Sequence, residues 1–157
     1  IKEIILIGRW SRYFHKVVPA NQATDQMVAD EYKHHIVDTV CALTNLDKSV
    51  YLVAPIPEMG QHVPRELAKA LLVNQSNMDI SSTLADYKSY NQLVLGALAT
   101  AKKKCQATIL DPKSYMCNEN TCNGLINGVP NYRDDHHLSV TGSLILKPLF
   151  LGISRSN

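Results

Sequence analysis

An acidic residue stands three positions before a histidine near the C-terminus, in the pair Asp134 and His137. A short turn with this spacing can bring the carboxylate onto one imidazole nitrogen. That contact fixes the tautomer and leaves the other nitrogen free to accept a proton from a hydroxyl group. The pair therefore predicts acyl transfer or ester hydrolysis, with His137 as the general base and Asp134 as the residue that orients it. The alternative is an ordinary surface pair beside a helix that Ser139 caps.

A second acidic residue and a second histidine, Asp135 and His136, lie between the members of this pair. Only Asp134 stands three residues before a histidine that Leu-Ser follows, and this favours its pairing with His137. Asp135 and His136 are then expected to point toward solvent. A pairing of Asp135 with His137 at two-residue spacing is the alternative.

The string Tyr-x-Asp-x-x-His-Leu-Ser-x-x-Gly, from Tyr132 to Gly142, resembles the last sequence block of SGNH (GDSL-type) hydrolases. It most resembles the version fused to membrane acyltransferase-3 proteins, which O-acylate bacterial surface glycans. The run of Arg9, Trp10 and Tyr13 resembles a second block of these fused domains. The resemblance covers roughly the whole chain from Ile1 onward, although it begins in the middle of the family domain.

The second block departs from the pattern of ordinary SGNH hydrolases, in which it is Gly-x-Asn-Asp and its Asn helps to form the oxyanion hole. Here Gly8 is followed by Arg9 and Trp10, and the Asn is missing. An oxyanion hole would therefore need other donors, such as backbone N–H groups near Gly8 or the Arg9 guanidinium, with Trp10 as a further substrate candidate. The alternative is a structural Trp10 beside a solvated Arg9.

The family's attacking serine lies in a Gly-Asp-Ser block, and this sequence contains no such block. Ser11 and Ser139 lie near the two matching blocks, but neither occupies the position of the family nucleophile. The resemblance therefore implies that the first strand and its serine lie outside this chain. The sequence opens at Ile1 in an apolar run, so we expect a fragment of a longer protein.

Apolar runs alternate with amphipathic stretches along the chain. Buried strands are predicted at residues 3–8, 49–55 and 107–110, and helices at 23–46, 64–73, 83–104 and from 139. This alternation predicts one α/β domain over residues 1–157 with a parallel sheet between two helical layers. The resemblance makes it a flavodoxin-like SGNH fold without its first strand. The loop at 55–60 follows a strand and should border the site.

Two of the four cysteines, Cys117 and Cys122, are separated by four polar residues, a spacing that suits a small disulfide loop in an oxidising compartment. The alternative is a pair of free thiols. A zinc site would need two more ligands, and Cys41 and Cys105 do not form a second close pair. We expect these two to pack as small hydrophobic side chains, and we predict no metal and no cofactor.

Bulk properties exclude several other classes of protein. The 157 residues are 45% hydrophobic and 19% charged, which is ordinary for a globular domain. The formal charge of +2 is too small to indicate nucleic acid or an anionic membrane as partner. No apolar run reaches the roughly 18 residues that a membrane-spanning helix needs.

The function implied by the resemblance is O-acylation of a glycan. A membrane acyltransferase domain of the same parent protein would deliver the acyl group. A hydroxyl of lipopolysaccharide or another envelope polysaccharide would accept it, in the periplasm. The alternatives are a free-standing SGNH esterase or lipase and a non-catalytic glycan-binding domain.

Overall fold

The described part of the chain forms two compact units. The computed structural model describes residues 1–12, 22–75 and 78–153, and of residues 22–25 it describes the backbone alone. The first unit contains the described residues of Ile1–Pro55 and Tyr90–Asp111, and the second contains those of Ile56–Ser89 and Pro112–Ser154. The assignment of residues 1–157 to one domain stays a prediction.

Short helices and strands follow one another along both units. In chain order they are β1 (Glu3–Leu6), α1 (Gln22–Thr44), β2 (Ser49–Val53), α2 (Val63–Leu72), β3 (Ser81–Thr83), α3 (Leu84–Tyr90), α4 (Gln92–Cys105), β4 (Thr108–Leu110), α5 (Lys113–Met116), β5 (Thr121–Asn123), β6 (Leu125–Ile126), β7 (Val129–Pro130), α6 (Val140–Ile145) and α7 (Lys147–Phe150). Among these described helices, none combines the length and the apolar character that crossing a membrane requires.

The first unit is built on a parallel sheet with the strand order β1-β2-β4. Helices α1 and α4 pack against each other and share a buried apolar cluster with β2, which includes Val40, Val50, Leu52, Val94 and Leu98. The parallel α/β fold class predicted from the sequence is confirmed. Its three strands begin within one residue of the predicted positions.

Strand β1 is less buried than its apolar sequence predicts. Ile5 and Ile7 are 43% and 71% exposed, so the expectation of a strand buried on both faces is wrong for this segment. The reason lies in its place in the sheet. In the described residues β1 is an end strand that pairs on one side with β2, and an end strand is covered less completely than a central one.

The single helix predicted over residues 83–104 is divided at Asn91 into α3 and α4. Asn91 is buried, and its Oδ1 atom accepts a hydrogen bond of 2.6 Å from the Ser11 hydroxyl. Its carbonyl accepts the Leu95 N–H at 2.9 Å, which begins the new helix. The break thus serves a contact between residues 80 positions apart, and local periodicity gave no sign of it.

The second unit contains two small antiparallel pairings, β3 with β5 and β6 with β7. None of these strands was predicted, because two or three residues are too few to show an alternating pattern. The last part of the chain does follow prediction. Helix α6 begins directly after Ser139, whose hydroxyl accepts the Gly142 N–H at 3.0 Å as a helix cap.

All four cysteines are paired. The predicted bridge joins Cys117 to Cys122, across a turn in which Asn118 Oδ1 accepts the N–H of Thr121 at 2.7 Å. The expectation that Cys41 and Cys105 remain unbridged is wrong, because they form the second disulfide. Cys41 lies in α1 and Cys105 ends α4, and the packing of the two helices brings their Cα atoms to 4.7 Å, within the range that a bridge requires.

We expect the long-range bridge to stabilise the chain more than the local one. Loop closure over 64 residues corresponds to about 4 kcal/mol, and over 5 residues to about 2 kcal/mol. The double variant Cys41→Ala/Cys105→Ala should therefore lose more free energy of unfolding in urea than its matched control Cys117→Ala/Cys122→Ala. Equal losses would contradict the prediction.

Candidate active site

A buried tyrosine anchors the segment that carries Asp134 and His137. Tyr132 is 0% exposed, and its hydroxyl donates a hydrogen bond of 2.7 Å to the carbonyl of Pro57. Burial, and after it the charge of Glu58, raises the pKa of Tyr132. The phenol therefore stays protonated and keeps this bond at any physiological pH.

Two backbone hydrogen bonds fix the same segment to Met59 and to Val63, the first residue of α2. The N–H of Met59 donates to the carbonyl of Asp135 at 2.8 Å, and the N–H of Val63 donates to that of Asp134 at 3.1 Å. Met59 and Val63 are themselves buried, so this support is rigid. The loop at 55–60, which was predicted to border the site, contacts this segment through the bond from Met59 to Asp135.

The Asp134 carboxylate uses both of its oxygens. Oδ1 accepts the backbone N–H groups of His136 at 2.9 Å and His137 at 2.7 Å. Oδ2 lies 2.7 Å from Nδ1 of the His137 ring. The contact predicted from the three-residue spacing is therefore present. The alternative partner, Asp135, contacts the neighbouring histidine instead.

The surroundings of Asp134 favour its charged form. Burial alone would raise its pKa, but the N–H bonds from His136 and His137, the hydrogen bond from the His137 ring and the nearby His136 ring together lower it. Asp134 is thus an anion at neutral pH. An anion 2.7 Å from Nδ1 favours the tautomer in which that nitrogen carries the proton, so Nε2 has the free lone pair.

The His137 ring is reachable from outside the protein. Half of its side chain, 50%, remains exposed, whereas the Asp134 side chain is 25% exposed. A hydroxyl group presented by another segment or by a substrate could therefore approach the ring while the carboxylate stays behind it. This arrangement can accept a proton from an attacking oxygen and return it to a leaving group.

The expectation that Asp135 and His136 point toward solvent is wrong for His136, whose side chain is only 17% exposed. Its Nδ1 lies 2.8 Å from Asp135 Oδ1, and its ring centroid lies 4.0 Å from that of His137. The turn closed by Asp134 brings both rings to one side of the chain. Asp135 itself is 46% exposed, and hydrogen bonding to His136 lowers its pKa against the opposing effect of burial.

The serines beside the two recognised blocks are occupied by structural hydrogen bonds. The Ser139 hydroxyl donates to the Pro130 carbonyl at 2.8 Å and caps α6. The Ser11 hydroxyl is buried and donates to Asn91. Neither is available as a nucleophile, in agreement with the expectation that neither occupies that position.

The oxyanion candidates Gly8, Arg9 and Trp10 belong to the first unit, whereas Asp134 and His137 belong to the second. The Trp10 indole N–H donates to the Val53 carbonyl at 2.9 Å, and this bond uses its single donor. Gly8 is exposed and Arg9 is partly buried. Their roles at an oxyanion hole stay predictions, and Tyr13 of the same block lies outside the described residues.

One group of side chains in the described residues could hold a metal ion. The donor atoms of Asp134, His136 and His137 lie within 4.8 Å of one another. Each histidine, however, has Nδ1 within 2.8 Å of a carboxylate oxygen, a distance typical of a charge-assisted hydrogen bond. The geometry favours two hydrogen-bonded pairs, and the absence of a metal from the chemistry stays a prediction.

Comparison with known proteins yields a family match over almost the whole chain. The SGNH domain that is fused to AT3 domains matches residues 1–152. The chain belongs to this family. The SGNH domain is also similar in fold to the periplasmic domain of a lipopolysaccharide acetyltransferase from Salmonella ser. Paratyphi A, with a TM-score of 0.54 and 15% identity. The similarity covers 75% of this chain and 48% of that one. A comparison with curated proteins found no match.

A glycine of the recognised block permits a close backbone contact in the SGNH domain. A Cβ atom built on Gly142 would collide with the backbone carbonyl oxygen of Asn131. That carbonyl also accepts the Ser139 N–H at 2.9 Å, so it cannot move away without loosening the segment before Asp134. The sequence signal was Gly142 itself, three residues after the helix cap.

We expect Gly142→Ala to lower the free energy of unfolding by about 1–3 kcal/mol, because the added methyl group overpacks a rigid contact. The matched control is Gly96→Ala in α4, where an added Cβ would meet nothing within 4 Å. That substitution should stabilise by about 0.5–1 kcal/mol through helix propensity. Urea unfolding measures both, and a neutral Gly142→Ala would refute the contact.

Acid should lower the free energy of unfolding, because it protonates Asp134. Its pKa is lower in the folded chain than the ordinary value of about 3.9, so the unfolded chain binds more protons between these two values. The stabilisation is complete above about pH 5 and is lost as the pH falls through the folded pKa. Urea unfolding at several pH values between about 5 and 2 should give a smaller decline for Asp134→Asn than for the wild type. Equal declines would count against the lowered pKa.

Proposed function

We propose that this SGNH domain transfers an acyl group, through a serine that lies outside this chain, to a hydroxyl of an envelope glycan. The observation that carries the proposal is the contact between Asp134 Oδ2 and His137 Nδ1 at 2.7 Å, with half of the histidine side chain exposed. Membership of the family fused to AT3 domains supports it, because that partner domain would supply the acyl group.

The first step forms an acyl-serine. Nε2 of His137 takes the proton from the serine hydroxyl while the serine oxygen attacks the acyl carbonyl carbon. A new carbon–oxygen bond forms, the bond to the donor's leaving group breaks, and the imidazolium returns its proton to that group. Asp134, which is already anionic, stabilises the imidazolium and holds the ring without taking the proton itself.

The second step repeats the proton transfer with a new nucleophile. A glycan hydroxyl gives its proton to Nε2 and attacks the acyl-serine, and the released serine oxygen then takes this proton back from the imidazolium. The products are a glycan ester and a regenerated serine. If water replaces the glycan in this step, the same groups act as an esterase.

The proposal puts the reaction in the periplasm, with lipopolysaccharide or another envelope polysaccharide as acceptor. Two disulfides suit an oxidising compartment. The similar Salmonella domain is described as periplasmic and as part of a lipopolysaccharide acetyltransferase. The acetyl group is therefore the acyl group to test first.

A non-catalytic glycan-binding domain is the second candidate. The observation that favours it is the structural role of Ser11 and Ser139, whose hydroxyls are both occupied. This candidate predicts that replacing His137 leaves acetyl-ester turnover by the parent protein unchanged.

The test is acetyl-ester turnover by the parent protein that carries this domain and its serine, with p-nitrophenyl acetate as substrate. We expect His137→Ala to lower turnover by about 100-fold or more, because the general base is removed. Asp134→Asn should also lower it strongly, because the amide no longer favours the proton on Nδ1.

The matched control is His34→Ala, which removes a histidine that is 73% exposed on α1 and should leave turnover unchanged. Equal turnover by the wild type and His137→Ala would overturn the catalytic assignment in favour of the glycan-binding candidate. Mass spectrometry of envelope polysaccharide after the reaction separates the two enzymatic outcomes, because only a transferase adds acetyl groups to it.

A further inference from the structure

A second acid–histidine pair lies directly beside the first, and the mechanism above does not use it. His136 Nδ1 lies 2.8 Å from Asp135 Oδ1, and the His136 ring lies against the His137 ring with centroids 4.0 Å apart and planes tilted by 44°. Unlike its neighbour, this second histidine is mostly buried, with 17% of its side chain exposed.

Hydrogen bonds at the ring, at the backbone and at the preceding residue hold His136 in place. Its backbone N–H donates to Asp134 Oδ1 at 2.9 Å, its Nδ1 contacts Asp135, and the carbonyl of Asp135 accepts the N–H of buried Met59 at 2.8 Å. The residue is therefore fixed at its backbone, at its ring and through the residue before it. Such a ring can limit the movement of a side chain that packs against it.

In the described part of the chain, His137 is held in a similar way, at its backbone N–H and at Nδ1 by Asp134, but half of its side chain is exposed. A single bond at one ring atom leaves rotation about the side-chain torsions weakly restricted. The centroid of the His136 ring lies 4.0 Å from that of the His137 ring, so the mostly buried ring occupies space into which the exposed ring would otherwise move. Proton transfer needs the lone pair of Nε2 aimed at the reacting oxygen, so this restriction bears directly on the rate.

We propose that His136 is a positioning residue that packs against the His137 ring and keeps its Nε2 atom aimed at the reacting hydroxyl. The proposal rests on the function proposed above, since it assigns a role toward the same general base. The proposed role requires a ring beside His137 that does not move. It does not require His136 to act as a base.

His136 is unsuited to be a second base itself. Both rings are bonded to a carboxylate at Nδ1, but only 17% of the His136 side chain is exposed, against 50% for His137. Because its ring is largely covered, His136 can affect the reaction only through the neighbouring His137. The ring and its hydrogen bond can therefore be separated by substitution.

The test compares three variants of the parent protein in acetyl-ester turnover. His136→Ala removes the ring, His136→Asn keeps a donor for Asp135 without the ring, and His136→Phe keeps a ring without the donor. We expect His136→Ala and His136→Asn to lower kcat by about 10- to 100-fold with KM nearly unchanged, because misaligned reacting groups lose rate at this scale. His136→Phe should stay within about threefold of the wild type.

Unchanged kcat in His136→Ala would overturn the proposal. It would also be overturned if His136→Asn were active and His136→Phe inactive, because the contact with Asp135 and not the ring would then matter. A general loss of folding is recognised by thermal unfolding, and the rescue by His136→Phe separates it from misalignment. Failure of the proposed function looks different, because His137→Ala would then already equal the wild type.

Discussion

One carboxylate organises the candidate site. Asp134 accepts three hydrogen bonds, two from the backbone of the following histidines and one from the His137 ring. The same group therefore closes the turn, orients the ring and places a negative charge beside it. Because the backbone bonds use Oδ1 and the ring bond uses Oδ2, closing the turn and orienting the His137 ring do not require the same oxygen. The turn also depends on the buried Tyr132, whose hydrogen bond to the carbonyl of Pro57 anchors the segment that carries it.

The parts of the site that could be predicted are those in which contacts are local. The pairing of Asp134 with His137 depends on three-residue spacing, and Ser139 caps α6 through the third residue after it. Both follow from side chains that satisfy nearby backbone groups. The environment of His136 was missed for the opposite reason, since its segment is held by a hydrogen bond from the N–H of Met59, more than 70 positions away, to the carbonyl of Asp135.

The fold follows the same division. The parallel strands and most helices were predicted because their periodicity is written within single segments. The division of the helix at Asn91 was not, because it serves a partner at Ser11. The exposure of β1 depends on which strands flank it, and the bridge of Cys41 to Cys105 depends on how two distant helices pack. None of these three features leaves a signal in neighbouring residues.

The two disulfides also make different demands on oxidative folding. Four cysteines allow three sets of pairs, and two of these sets would join both α1 and α4 to the loop at Cys117 and Cys122. The local bridge needs only a five-residue turn, so it can form before the rest of the chain is ordered. Once the local bridge is present, both wrong sets are excluded, and Cys41 and Cys105 have only each other as partners. The small loop thereby acts as a safeguard of correct pairing for the α1–α4 bridge.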